Sequence, residues 1–189
     1  MTISSQDKGL IMQKVKREEL TQELLKTYLS YDTESGKFTW IKNNHPYKNR
    51  IGKEAGSVSK RDTHIEIRFF GTLYRAHILA WFYTHGTYPE FTLDHEDHDE
   101  QNNRLSNLRD VPKKINNRNQ SKRKDNTSGV TGIYLSKKRK TKPYTAEIMV
   151  DKTKIYLGNF ATLAEAVSIR ETAKIKYGFH ENHGITKPM

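Results

Sequence analysis

The sequence predicts an α+β fold in two folded units. Its 189 residues suffice for one sizeable domain or two small ones. Segments of helical spacing alternate with short β-branched and aromatic runs. A basic, polar run without apolar period, "NRNQSKRKDNTSG" at residues 117–129, reads as a linker. Residues 1–19 are thus expected to be a lead, 20–120 a first domain, 121–128 the linker and 129–189 a second domain.

In chain order, "LTQELLKTYLSYD" predicts a short amphipathic helix, capped by Thr21 ahead of Leu24, Leu25, Tyr28 and Leu29. "GKFTWI" and "THIEIRFFGTLYRAH" read as strands, with Gly71 at a tight turn. "AHILAWFYTHG" returns to helical spacing and ends at Gly86, a C-cap. His77 in this segment is expected to be a packed, hydrogen-bonded histidine outside any site, and Trp40 and Trp81 core residues. Pro112 stands near a helix start, where its missing N–H costs little.

Past the linker, "VTGIYLSKKRKTKPYTAEIMVDKTKIYLGNF" offers three strands, and "TLAEAVSIRETAKIKYG" a helix with a capping box of Thr162 and Glu165. Ala166, Ile169, Ala173 and Tyr177 mark its expected packed face. Alternation turns Tyr144, Ala146, Ile148, Val150, Ile155 and Leu157 toward that helix, and Thr145, Glu147, Met149, Lys154 and Tyr156 away from it. With Tyr134 and with Lys137, Lys138, Arg139, Lys140 and Lys142 in the first turn, the outward face is basic and aromatic, suited to a DNA major groove.

Charge agrees with a polyanionic partner. Residues 121–189 carry 14 Lys+Arg against 6 Asp+Glu, and residues 1–120 carry 19 against 16, within an overall +11. No run reaches the apolar length of a membrane span, and "MTISSQDKGLIMQKVK" lacks the order of a secretory signal. The absence of cysteine removes disulfides and thiolate metal sites and permits a cytoplasmic location.

The stretch "TLDHEDHDEQNNRLSNLR", residues 92–109, carries the densest polar chemistry. A calcium loop begun at Asp94 would need glycine at Asp99 and glutamate at Leu105; one begun at Asp97 meets Asn102 and Leu108. Zinc could use His95 and His98, but further ligands are not expected nearby, and His180 and His183 would help only if the two domains met. Phosphodiester hydrolysis fits better. It needs a base for water, a metal for developing charge, and a group that holds the base. Asp94 and His95 are adjacent, Asn107 follows twelve residues later and Asn116 nine after that. A carboxylate and an amide oxygen are hard ligands that suit Mg²⁺ or Mn²⁺. Asp97, His98, Asp99 and Glu100 are expected to form an exposed loop tip, with Asn103 and Arg104 bracing the loop.

Residues 74–120, "YRAHILAWFYTHGTYPEFTLDHEDHDEQNNRLSNLRDVPKKINNRNQ", closely resemble the HNH endonucleases, especially the phage homing type. "YDTESGKFTW" and "GKEAGS" resemble the segment that precedes the motif in many phage members. Residues 128–184, with "SGVTGIY", "YTAEIMV", "YLGNF" and "FHENHG", resemble the Apetala-type domain of ethylene-response factors, which phage HNH enzymes often carry in this order. The resemblance implies a ββα-metal nuclease domain, followed by a three-stranded antiparallel sheet on one helix. It implies His95 as general base, Asn107 as the residue bracing loop and base, Asp94 and Asn116 as ligands of Mg²⁺ or Mn²⁺, and Lys113 or Lys114 near the scissile phosphate. It also implies double-stranded DNA as partner, with no membrane and no protein partner evident, in the cytoplasm of a bacterial host. DNA contacts would come from Tyr134, Lys138, Lys140, Lys142, Thr145, Glu147, Met149, Lys154 and Tyr156. Thr131, Tyr134, Met149 and Tyr156 stand where the plant domain has arginines and tryptophans, so phosphate contacts are expected to dominate over base reading. The competing expectation is a non-catalytic DNA-binding regulator on an inactive HNH scaffold; binding of RNA is a weaker one.

Overall fold

Thr21 has extended backbone and its hydroxyl accepts from the Leu24 amide at 3.1 Å, so helix α1 (Gln22–Tyr28) starts where the sequence puts its cap. The structure, a computed structural model, describes residues 16–44, 49–119, 122, 126 and 128–185. Leu29, expected in the helix, instead begins strand β1 (Leu29–Asp32), paired antiparallel with β2 (Lys37–Trp40). The reason is period: Leu29 and Tyr31 point inward and Ser30 and Asp32 outward. Most of the lead lies outside the described residues; Arg17–Glu19 forms a 3-10 turn, and Arg17 lies 5.4 Å over the Tyr88 ring.

Strands β3 (Ser57–Val58), β4 (Ile65–Phe69) and β5 (Thr72–Arg75) form an antiparallel sheet in that order. The β4–β5 turn uses Phe70 at φ 43° and Gly71 at φ 75°, the left-handed pair that matches strand twist. Helix α2 (Ala76–His85) follows at once and stops at Gly86, whose N–H meets the Phe82 carbonyl. Tyr28, Leu29, Phe38, Trp40, Ile67, Phe69, Phe70, Leu79 and Phe82 are buried together, each worth about 1.5–3 kcal/mol of burial where aliphatic or phenyl. Trp81 packs against this core as expected, although it is only half-buried, and it stacks on His85 at 4.0 Å.

Strands β6 (Thr92–His95) and β7 (Leu108–Val111) form a two-stranded sheet, and α3 (Lys113–Asn116) follows β7 after Pro112. The chain divides into two compact units, Met1–His95 with Asp99–Asp110, and Glu96–His98 with Val111–Met189. The division after residue 110 falls inside the span the sequence gives to the first domain. Much of the expected linker lies outside the described residues.

In the second unit, β8 (Ile133–Leu135), β9 (Tyr144–Val150) and β10 (Thr153–Phe160) form an antiparallel sheet ordered β10-β9-β8, with a bulge between Tyr156 and Gly158. Helix α4 (Leu163–Lys176) carries the expected capping box. Ala146 and Ile148 are buried, whereas Met149 and Tyr156 are exposed, as alternation predicts. Ile169 departs from expectation, being 38% exposed. At about 100° per residue, Ala166, Arg170, Ala173 and Tyr177 share one face while Ile169 falls on its edge. Buried Arg170 replaces it, its guanidinium 6.0 Å above the Phe179 ring.

The same unit holds a polar knot. His98 Nε2 meets Asn119 Oδ1 at 2.9 Å, Asn119 and Asn182 both donate to the Glu96 carbonyl, and His180 meets the Glu96 carboxylate at 2.9 Å. His98 is therefore buried, and Asp97, Asp99 and Glu100 are half-buried, which corrects the expectation of an exposed loop tip: the Asn119 amide satisfies the His98 imidazole in place of water. Beside it, burial together with Arg170, Lys174 and His98 pushes the His183 imidazole from 6.5 down to about 4. An unfolded chain takes up this proton near pH 6.5 and the folded unit does not, so the contribution is present above pH 6.5 and lost as pH falls toward 4. Thermal melts across this range should show falling stability, with a shallower slope for His183→Gln; an unchanged slope would count against it.

Candidate active site

The first unit holds Asp94, His95 and Asn107, all three buried. Asp94 and His95 end β6, both buried. The Asp94 carboxylate forms a 2.6 Å ion pair with Arg109 on β7. His95 meets Asn103 and the His77 ring, whose centroid is 4.9 Å away. The adjacent side chains thus engage different partners, as strand alternation requires.

Asn103 is the most enclosed polar residue here, 1% exposed. Its Nδ2 donates to the Gln101 carbonyl at 3.2 Å, which turns Oδ1 toward His95 Nε2 at 3.2 Å. An amide oxygen only accepts, so Nε2 carries the hydrogen and Nδ1 bears the lone pair. The backbone of Asn103 is itself fixed: the buried Tyr31 hydroxyl donates to its carbonyl at 2.7 Å. Burial, with Asp32 adding to it, raises the Tyr31 phenol to about 12, so it stays a donor. Asn107, in a 3-10 turn (Leu105–Asn107), donates from Nδ2 to the Asn102 carbonyl at 2.8 Å and so braces the loop.

His77 is packed, as expected, in the first turn of α2. Its Nδ1 is buried without a hydrogen-bond partner, however, and the ring lies against the site. Burial, followed by the nearby His95 and His64, pushes it down to about 3, so it is neutral. His64 stands 5.1 Å from His77 and 5.8 Å from His95 between ring centroids, its Nδ1 3.2 Å from Asp62. Arg75 clamps Asp62 with two 2.6 Å contacts and holds its carboxyl well below the usual range. The expectation that histidines beyond His98 are missing near His95 is therefore corrected. Residues 31 and 18 positions earlier in the chain return to it because β4, β5 and α2 fold as a hairpin and helix.

Residues 74–118 match the HNH endonuclease family. This HNH match includes His77, Asp94, His95, Asn103, Asn107, Arg109, Lys113 and Asn116, and it supports an HNH nuclease. No curated protein and no solved structure matches the chain.

Lys113 and Asn116 belong to the second unit, on α3, with Lys113 exposed and Lys114 paired with Asp151 at 2.8 Å. On that unit's sheet, Tyr134, Met149 and Tyr156 are exposed. Glu147 pairs with Lys154 at 3.1 Å, and Thr145 bonds Arg139 and Asn159. Lys138, Lys140 and Lys142 are exposed in the turn. The residues that sequence reasoning missed are Arg109, His64 and His77, together with Asn103 as partner of His95. Only Arg109 left a signal, a cation in "NLRDV" on a strand following "TLDH". Among the described residues, no helix is long and apolar enough to cross a membrane.

Proposed function

We propose that the chain is a metal-dependent DNA endonuclease of the homing HNH type, with His95 as general base and an Apetala-type unit at residues 129–189 that docks on double-stranded DNA. The observation that carries this reading is the Asn103–His95 pair. By holding hydrogen on Nε2, Asn103 leaves the Nδ1 lone pair to take a proton from water. That water attacks phosphorus in line; the new P–O bond forms as the P–O3′ bond breaks, and His95 keeps the proton. Asp94 supports a hard divalent cation by donor type, and its 2.6 Å ion pair with Arg109 orients that carboxylate. Bound there, Mg²⁺ or Mn²⁺ would supply positive charge to the phosphate and the departing oxygen. Asn116, which the resemblance implies as an amide ligand, belongs to the second unit, so Asp94 is the ligand that the first unit supplies. The order β6, β7, α3 is what a ββα-metal arrangement requires.

On the second unit, Tyr134, Met149, Tyr156, Lys138, Lys140 and Lys142 offer exposed apolar and cationic groups. Thr145, Glu147 and Lys154 enter as a paired network that orders the face more than it reads bases.

Incubation with supercoiled plasmid and Mg²⁺, with and without chelator, tests the reading. Chelator-sensitive nicking supports it, and its absence on every duplex tried would favour a DNA-binding regulator. Asn103 is a positioning residue, since it acts through His95. Asn103→Ala should lower the cleavage rate roughly 10- to 100-fold, and Asn103→Asp, which keeps the acceptor oxygen, should recover part of the loss. Its pH–rate profile should shift, because His95 loses its tautomer-fixing partner; an unshifted profile would reduce Asn103 to a packing role.

A further inference from the structure

The two further imidazoles beside His95 go beyond what one general base needs. Among the described residues, His64, His77 and His95 are the group of three that could hold a metal ion, with one ring nitrogen from each within 4.8 Å of the others. Two rings are oriented as metal-bound histidines are, with the distal nitrogen engaged by an oxygen acceptor. Asp62 Oδ1 meets His64 Nδ1 and Asn103 Oδ1 meets His95 Nε2, so in each neutral ring the other nitrogen bears the lone pair that can ligate. The third ring, His77, is 8% exposed and its Nδ1 lacks a partner. A buried nitrogen without a hydrogen bond costs about 1–3 kcal/mol, so something must favour it.

We infer that His64, His77 and His95 form a three-imidazole site for a late first-row transition metal, Zn²⁺ above all, separate from the carboxylate that takes the hard cation, and that its occupation blocks the base. Imidazole selects Zn²⁺, Co²⁺ or Ni²⁺ over Mg²⁺, and three neutral nitrogens leave a fourth position for water. Metal–nitrogen bonds of about 2.0–2.1 Å set nitrogens about 3.3–3.4 Å apart, so the cluster must contract by roughly 1 Å or more. His64, whose side chain is 26% exposed and which sits in the bend before β4, is the ring with room to swing. The metal would take the Nδ1 lone pair that the hydrolytic reading gives to water, so the inhibitory half rests on that reading.

Co²⁺ titration of the full chain without DNA tests binding by itself. One equivalent should develop the visible d–d bands of a four-coordinate nitrogen site, Zn²⁺ should erase them, and His64→Ala and His77→Ala should each lose them. His64→Ala, at the half-exposed rim, keeps the test sound if His77→Ala fails to fold. No bands with the unaltered chain, or equal bands in His64→Ala, would overturn the site. In the Mg²⁺ nicking assay, the ratio of rates with and without Zn²⁺ is compared within each protein. Inhibition should need at least about tenfold more Zn²⁺ in His64→Ala. Equal inhibition in both proteins would overturn the competition. If no protein nicks DNA, the hydrolytic reading fails while the Co²⁺ result still decides the site.

Discussion

His95→Ala should slow Mg²⁺-dependent nicking by about 10² to 10⁴ and leave duplex binding within about twofold of the unaltered chain. The size follows from the role: a positioned base lowers the cost of removing a proton as phosphorus is attacked, and without it bulk water must serve. Binding should persist because exposed cations and aromatics lie on the second unit, away in sequence from the deletion. Folding should also survive, since the ring is one of several packed there and alanine leaves Asn103 bonded through its amide and carbonyl to Gln101 and Tyr31. Single-turnover nicking and a gel-shift titration measure the two quantities. An unchanged rate would sink the assignment of the base.

Gly36→Ala should lower nicking too, by a smaller factor, from a residue that makes no chemistry. Gly36 closes the β1–β2 turn at φ 73°, a left-handed conformation that costs an alanine roughly 1–2 kcal/mol. A Cβ there would stand 2.5 Å from the Arg104 amide nitrogen and 2.6 Å from the Asn103 carbonyl carbon. Those are backbone atoms, so the 103–104 peptide must move, and Asn103 Oδ1 moves with it. A shift of about 1 Å at a positioned group can cost on the order of 10² in rate. The expected result is a melting temperature lowered by several degrees and nicking reduced at least about tenfold, with DNA affinity retained. Normal cleavage by a destabilised protein would show that Asn103 tolerates displacement.

Most of the fold was legible because local rules decided it. Thr21, Gly71, Gly86 and the Thr162–Glu165 box each carry a short-range signal that the backbone obeys. Leu29 and Ile169 were misread where two periods overlap: an apolar residue at a helix end can equally open a strand, and one on a helical edge can yield its place to an arginine stem. The site was legible as the pair Asp94 and His95, which chain adjacency exposes. Its surroundings were not, since His64 and His77 reach His95 only through tertiary folding, and a lone histidine in "AHILAW" has the same appearance whether it packs or ligates. Asn103 and Asn107 show the same limit. Both lie in the asparagine-rich loop, and only hydrogen-bond geometry distinguishes the one facing the imidazole from the one holding the loop backbone.

The bonds around Glu96 bear on how this protein can be taken apart. Glu96–His98 finds its partners in Asn119, His180 and Asn182, so its own compact unit is threaded from two separate stretches of chain. A fragment ending at residue 120 would keep the whole family-matched segment but strip Glu96 of His180 and Asn182, one residue after His95. The C-terminal portion is therefore not an exchangeable cassette. Replacing the chain after residue 120 with another module would have to carry over the His180 and Asn182 contacts as well.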